Sequence, residues 1–236
     1  MFKQNIITVI ILTFFYANLS AQNSINQYDN NGKRHGVWKK NFDKTNEPRY
    51  EGQFEHGKEV GVFKYYTLKQ KKSVLSATKT FNPNNNIAEV KFFASTGKLI
   101  SEGKMNGKLF IGKWVFYHNK SDAVMSIEYY NDKGELHGEK QVLYDNGQIA
   151  EKTNYVNGKI EGISTWYSEK GVVVKEFSYE NDELHGLSKY YNADGQLLAQ
   201  GEYKRGKKHG IWKYYTNGKL TEEKNFTKTS KNPKQQ

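Results

Sequence analysis

Residues 203–215 read Tyr203-Lys204-Arg205-Gly206-Lys207-Lys208-His209-Gly210-Ile211-Trp212-Lys213-Tyr214-Tyr215. Two glycines stand four residues apart, and behind the second runs a short aromatic stretch with no helical period. The pattern returns along the chain. Gly138, Gly162, Gly186 and Gly210 lie 24 apart, as do Gly134, Gly158, Asp182 and Gly206. Gly147, Gly171, Gly195 and Gly218 step by 24, 24 and 23, and Tyr144, Tyr167, Tyr191 and Tyr215 by 23, 24 and 24. Self-similarity at a fixed period marks a repeat architecture.

The N-terminal half follows the same rule less cleanly. Gly32, Gly36 and Phe42 match Gly57, Gly61 and Tyr66; Gly107, Gly112 and Tyr117 match with one extra residue; Asn84-Asn85-Asn86 with Phe93 forms a degenerate copy. The aromatic markers Phe42, Tyr66, Phe93, Tyr117 and Tyr144 step by 24, 27, 24 and 27, which implies three-residue insertions near residues 69–76 and 118–124. Each unit carries two turn signals, Asn157-Gly158 and Asn181-Asp182 being examples of one, Asn146-Gly147, Asp194-Gly195 and Asn217-Gly218 of the other. Asn-Gly and Asp-Gly suit type I′ hairpin turns, where both central residues need positive φ. Tight turns at every connection make consecutive strands antiparallel neighbours. The expectation is all-β: an elongated single-layer antiparallel meander of about eight 24-residue hairpins and sixteen or so strands.

Composition agrees. Hydrophobic residues are 36% and aromatics 14%, with 21 Gly and 17 Tyr. Few aliphatics and many aromatics suit thin β-structure rather than a thick core. There is no Cys, so disulfides, thiol chemistry and Cys-ligated zinc are excluded.

The two ends differ from the repeat. Lys3 is the one charge in the first 21 residues, residues 6–16 are apolar, and residues 17–21 are short and small-rich. That is the layout of a secretory signal peptide, predicting residues 1–21 as a signal segment, 22–27 as a linker, 28–226 as the repeat domain and 227–236 as a disordered basic tail. It also predicts export to the periplasm or beyond, with no transmembrane segment in the mature chain. Net charge is +11, which favours acidic partners.

Within a regular strand, residues two and four after the second repeat Gly share its face. Those positions give Trp38, Phe63, Tyr65, Trp114, Phe116, Trp166, Tyr190, Trp212 and Tyr214, the candidate partner-binding face, which holds all four Trp. Cross-strand aromatic pairs are also the main packing open to one sheet layer. A Gly inside the strand leaves room for an aromatic of the next strand, such as Tyr179 or Tyr203. The opposite face carries Val37, Val62, Ile163, Leu187 and Ile211, followed by Lys and polar residues.

Catalytic constellations are missing from the sequence. No G-x-S-x-G, HExxH or phosphate-loop motif occurs. His35, His137, His185 and His209 each precede a repeat Gly, but equivalent positions lie two strands apart, about 9.6 Å, whereas zinc ligands converge on one ion. Glu222 and Glu223 point to opposite faces. The reading is non-enzymatic, with no catalytic, cofactor or metal site.

The unit Tyr155-x-Asn157-Gly158-Lys159-x-x-Gly162-x-x-x-Trp166-Tyr167 resembles the variant MORN repeat of bacteria, and residues 203–215 match that pattern better still. The resemblance covers Tyr28 to about Phe226. It implies a β-hairpin repeat and a binding or scaffolding role for another protein. Some bacterial relatives are labelled antitoxins, which gives toxin neutralisation as an alternative. Eukaryotic MORN proteins associate with membrane scaffolds and phospholipids, which gives a peripheral binder of anionic lipid or envelope polymer as another. Nucleic acid ranks below these.

Overall fold

A computed structural model describes residues 24–227. The signal segment and all but the first residue of the tail lie outside these residues. Each strand pairs antiparallel with the one that follows it, from Gln27–Tyr28 at one end to Lys219–Asn225 at the other, except that Lys159–Ile160 and Gly162–Tyr167 both pair with Ile149–Val156. The result is one open sheet with no helix among the described residues. Eighteen strands are present. Two exceed the expected sixteen for local reasons. Gln27–Tyr28, at the linker boundary, pairs with Arg34 and His35, and one strand is interrupted at Glu161 into Lys159–Ile160 and Gly162–Tyr167.

The two insertions are absorbed differently. The first lengthens a hairpin, Lys58–Lys69 with Lys72–Phe81, closed by Gln70 and Lys71 at φ 48° and 64°. The second makes a loop between Tyr117 and Val124, closed by the His118 amide on the Ala123 carbonyl at 3.0 Å.

The two long edges of the ribbon use different turns. Along one edge, Asn157-Gly158 and Asn181-Asp182 have both central residues at positive φ, as type I′ requires. Asp182 holds a φ of 70° where other units have Gly. On the other edge the expectation of type I′ is corrected at Asn146-Gly147 and Asp194-Gly195, where the Gly alone is at positive φ. There Gly147 donates to the Tyr144 carbonyl and Tyr144 to that of Gln148, a three-residue loop that needs one left-handed residue. Asn217-Gly218 on that edge keeps both at positive φ.

A bulge recurs beside the marker aromatic in each hairpin, for example between Tyr65 and Tyr66 and between Tyr190 and Tyr191. Between bulges the alternation holds, and the two faces differ sharply. On the inner face one row follows the register through every hairpin: Trp38, Gly52, Phe63, Lys79, Val90, Gly103, Trp114, Glu128, then Lys140, Thr153, Ser164, Phe177, Ser188, Gly201, Trp212 and Lys224. Trp114, Trp212, Ser164 and Ser188 are 0% exposed and Phe63 1%. A single layer buries side chains this completely only if its twist and curl bring flanking rows over them.

Large side chains fit that row because glycines face them. Gly52, Gly103 and Gly201 lie under Phe63, Trp114 and Trp212, and a Cβ at any of the three would stand 2.4–2.5 Å from ring carbons. The expected close approach is therefore real but sits at these glycines. Gly162 and Gly186 do oppose Tyr179 and Tyr203 in register, yet a Cβ on Gly162 meets nothing within 4 Å. Their requirement is the backbone, at φ 83° and 94°.

Candidate functional site

A second inner row runs beside the buried one: Tyr50, Tyr65, Ala77, Phe92, Ser101, Phe116, Ser126, Val142, Glu151, Trp166, Lys175, Tyr190, Ala199, Tyr214 and Glu222. The nine candidate residues divide between the two rows. Trp38, Phe63, Trp114 and Trp212 belong to the buried one. Tyr65, Phe116, Trp166, Tyr190 and Tyr214 belong to the second, where each is half-buried. All nine share the inner face, as the spacing predicts.

Over Tyr65–Ser126 and again over Tyr190–Tyr214 the second row alternates large with small. Ala77, Ser101 and Ala199 are buried between half-exposed aromatics, and Ser126 is buried between Phe116 and Val142. Equivalent residues in successive hairpins are two strands apart, about 9.6 Å. The row thus presents notched aromatic surface to solvent, while the Trp row beneath it is out of a partner's reach. Tyr50 and Phe92 extend this surface and come from the alternate strands, which a search after each repeat Gly passes over; cross-strand pairing is the signal that finds them. Burial raises the Tyr65 and Tyr190 phenols above their ordinary values, so both are neutral hydrogen-bonding groups across the physiological range.

Midway along the face the apolar row is broken by charge. Glu128 is 9% exposed. It accepts from Lys140 Nζ at 3.0 Å and from the Tyr130 hydroxyl at 2.5 Å. Burial opposes the charge on Lys140, but the Glu128 carboxylate outweighs it and the net shift is upward. Beside it Thr153 donates to Glu151 at 2.7 Å. Paired and hydrogen-bonded, these charges can be held at a position where single ones could not.

The outer face is polar. Its middle row sets opposite charges on several adjacent strands: Lys39, Glu51 and Lys64, then Lys91 with Glu102, Glu176 with Lys189, and Lys213 with Glu223. Marker tyrosines lock the acids. Tyr66, Tyr117 and Tyr191 donate to Glu51, Glu102 and Glu176 at 2.5–2.6 Å. These bonds hold the Glu51 and Glu102 carboxyls below their ordinary values. The tyrosines rise to about 12, through burial and the Glu51 bond for Tyr66, through the Glu102 bond and burial for Tyr117, and through burial and the Glu176 bond for Tyr191. Val37, Val62, Ile163, Leu187 and Ile211 stand exposed on this face.

The histidines do not gather. Among the described residues no three His, Cys, Asp or Glu groups could hold a metal ion. His56 bonds Asp29 at 2.7 Å, and its ring lies tilted against that of His35 with centroids 4.9 Å apart; the His56 bond and the Lys33 amide hold Asp29 at about 2. His185 lies 3.2 Å from Glu180. His118 lies 3.3 Å from Asp145, and His137 accepts from the Asn157 amide at 3.4 Å, each reaching an adjacent turn.

No curated protein matches the chain. The family described as MORN repeat variant matches residues 136–157, 160–181, 184–205 and 208–228. MORN repeats are binding modules for proteins or membrane lipids and not a class of enzyme. The matched segments coincide with the most regular hairpins, and the same pairing, bulge and burial pattern continues back to Arg34. Residues 136–228 of the chain are MORN repeats of the variant kind.

Proposed function

We propose that this is an exported, non-enzymatic binding module that lays an extended segment of another protein along its inner face. The observation carrying this reading is the half-buried row of Tyr65, Phe116, Trp166, Tyr190 and Tyr214, set off by buried Ala77, Ser101, Ser126 and Ala199 and, around Trp166, by Glu151 and Lys175. Aromatic side chains offer large contact area at low entropic cost, and repeat surfaces suit extended partners. Export rests on the N-terminal apolar segment.

A pulldown from envelope extract, with Trp166, Tyr190 and Tyr214 changed together to Ala, tests it. Loss of a specific partner is expected while β-sheet dichroism is retained; unchanged partners would remove the row from consideration. High salt separates this from a second reading, a peripheral binder of anionic lipid or envelope polymer. That reading draws on charge: residues 24–117 carry 17 Lys and Arg against 8 acids, whereas residues 118–227 carry 15 against 17. Contacts made by that basic half weaken steeply with ionic strength; aromatic contacts do not.

A further inference from the structure

The two ends of the ribbon are finished differently. At the first, Asn26 donates to the Val37 carbonyl at 2.8 Å, its side-chain oxygen accepts from the Lys39 amide at 2.8 Å, and Gln27 and Tyr28 pair with His35 and Arg34. The edge of Arg34–Asn41 is thereby covered. At the other end, Lys219–Asn225 pairs with Lys207–Thr216 alone among the described strands, and all its residues are exposed. Its free side is a row of backbone donors and acceptors.

Three features specify what fits there. The first is charge. Lys204, Arg205, Lys207, Lys208 and Lys224 surround this end, and among the described residues none of them is in an ion pair. The equivalent turn one unit earlier holds Glu180, Asp182 and Glu183. A hollow of about 470 Å³ lies between the 204–209 turn and Phe226. The second is the buried row, which ends Trp212 then Lys224. In the middle of the sheet the same row runs Trp114, Glu128, Lys140, with opposite charges on adjacent strands paired at 3.0 Å. An incoming strand with a carboxylate beside Lys224 would rebuild that arrangement; an apolar one would strand the ammonium. The third is the turn edge. The amides of Gly158, Asp182 and Gly206 donate back to the carbonyls of Leu136, Ile160 and Leu184 at 2.8–3.0 Å. Lys208 is the next residue in that series, and no described turn reaches it.

A second copy is the wrong occupant. Its own first full strand carries Arg34, Lys39 and Lys40 and would meet like charge. The chain's last nine residues hold three Lys and no acid. We propose that the Lys219–Asn225 edge takes an acidic, extended peptide segment as an additional antiparallel strand, a surface separate from the aromatic row.

The test uses the purified protein and three labelled octapeptides: alternating Glu-Thr, alternating Lys-Thr, and Glu-Thr N-methylated at every other residue, read by fluorescence anisotropy. The unmethylated acidic peptide should bind at least tenfold more tightly than either of the others. Arg205→Glu with Lys207→Glu, and separately Lys224→Glu, should each weaken it tenfold or more, with far-UV dichroism unchanged. Equal binding of the methylated peptide would reduce the patch to unspecific charge attraction and overturn the proposal. Failure of the acidic peptide to bind, or self-association in sedimentation that Lys224→Glu abolishes, would also overturn it.

Discussion

Single atoms decide how the inner face packs. Gly201 has no Cβ because the Trp212 ring occupies the space where one would sit, at 2.4 Å. Gly201→Ala is expected to destabilise by about 1–3 kcal/mol through overpacking, measured as a lower urea midpoint with unchanged slope. Ser188 is the opposite case. It is 0% exposed, and its hydroxyl has no hydrogen-bond partner. A buried, unpaired hydroxyl costs about 1–3 kcal/mol, so Ser188→Ala should raise the midpoint; a lowered one would mean that the hydroxyl is satisfied in solution.

At the scale of the hairpin, the marker tyrosines give the sheet an alkaline limit. Tyr66, Tyr117 and Tyr191 are raised in the folded state to about 12 from an ordinary 10. The folded chain therefore holds these protons more tightly than the unfolded one. Their stabilisation is complete below pH 10 and is lost as pH rises through 12. A tyrosinate absorbance titration should show these groups ionising late and together with loss of β-sheet signal, and Tyr117→Phe should remove one of them. Glu51 and Glu102 act in the other direction: their lowered values give stability that is present above the ordinary carboxylate range and lost as pH falls below it.

The hairpin was also the scale most legible in the sequence. Glycine and tyrosine series at 24 residues gave strand order, both insertions and the sharing of one face by Trp38, Trp114, Trp166 and Trp212, because turns and alternation are local. Depth was not legible. Trp166 stands four residues after its repeat Gly and Trp212 two after its own; one faces Glu151 across the strands and the other lies over Gly201. The two offsets fall on two rows, and only the register across strands shows which row is buried. The Glu128–Lys140 pair escaped for the same reason: its members are 12 residues apart in the chain and adjacent only through register.

Over the whole molecule, each hairpin touches only its neighbours in the chain, so stability is close to a sum of unit and interface terms. Deleting residues 163–186, which joins Gly162 to Leu187 at equivalent positions, should leave a folded sheet. It should be shorter by two strands, about 9.6 Å, a difference that small-angle scattering resolves. Collapse of the remaining hairpins would show long-range cooperativity that the pairing does not contain.

The open meander has a mechanical consequence. Its first and last described strands lie at opposite ends of the ribbon, so tension applied through the two ends of the chain pulls across the strands rather than along them. Backbone bonds then break in sequence from an end, as in a zipper, and do not share the load. Each 24-residue unit peeled away releases roughly 80 Å of extended chain. A tether built this way yields at low force, lengthens in equal steps and recloses from whichever hairpins are left.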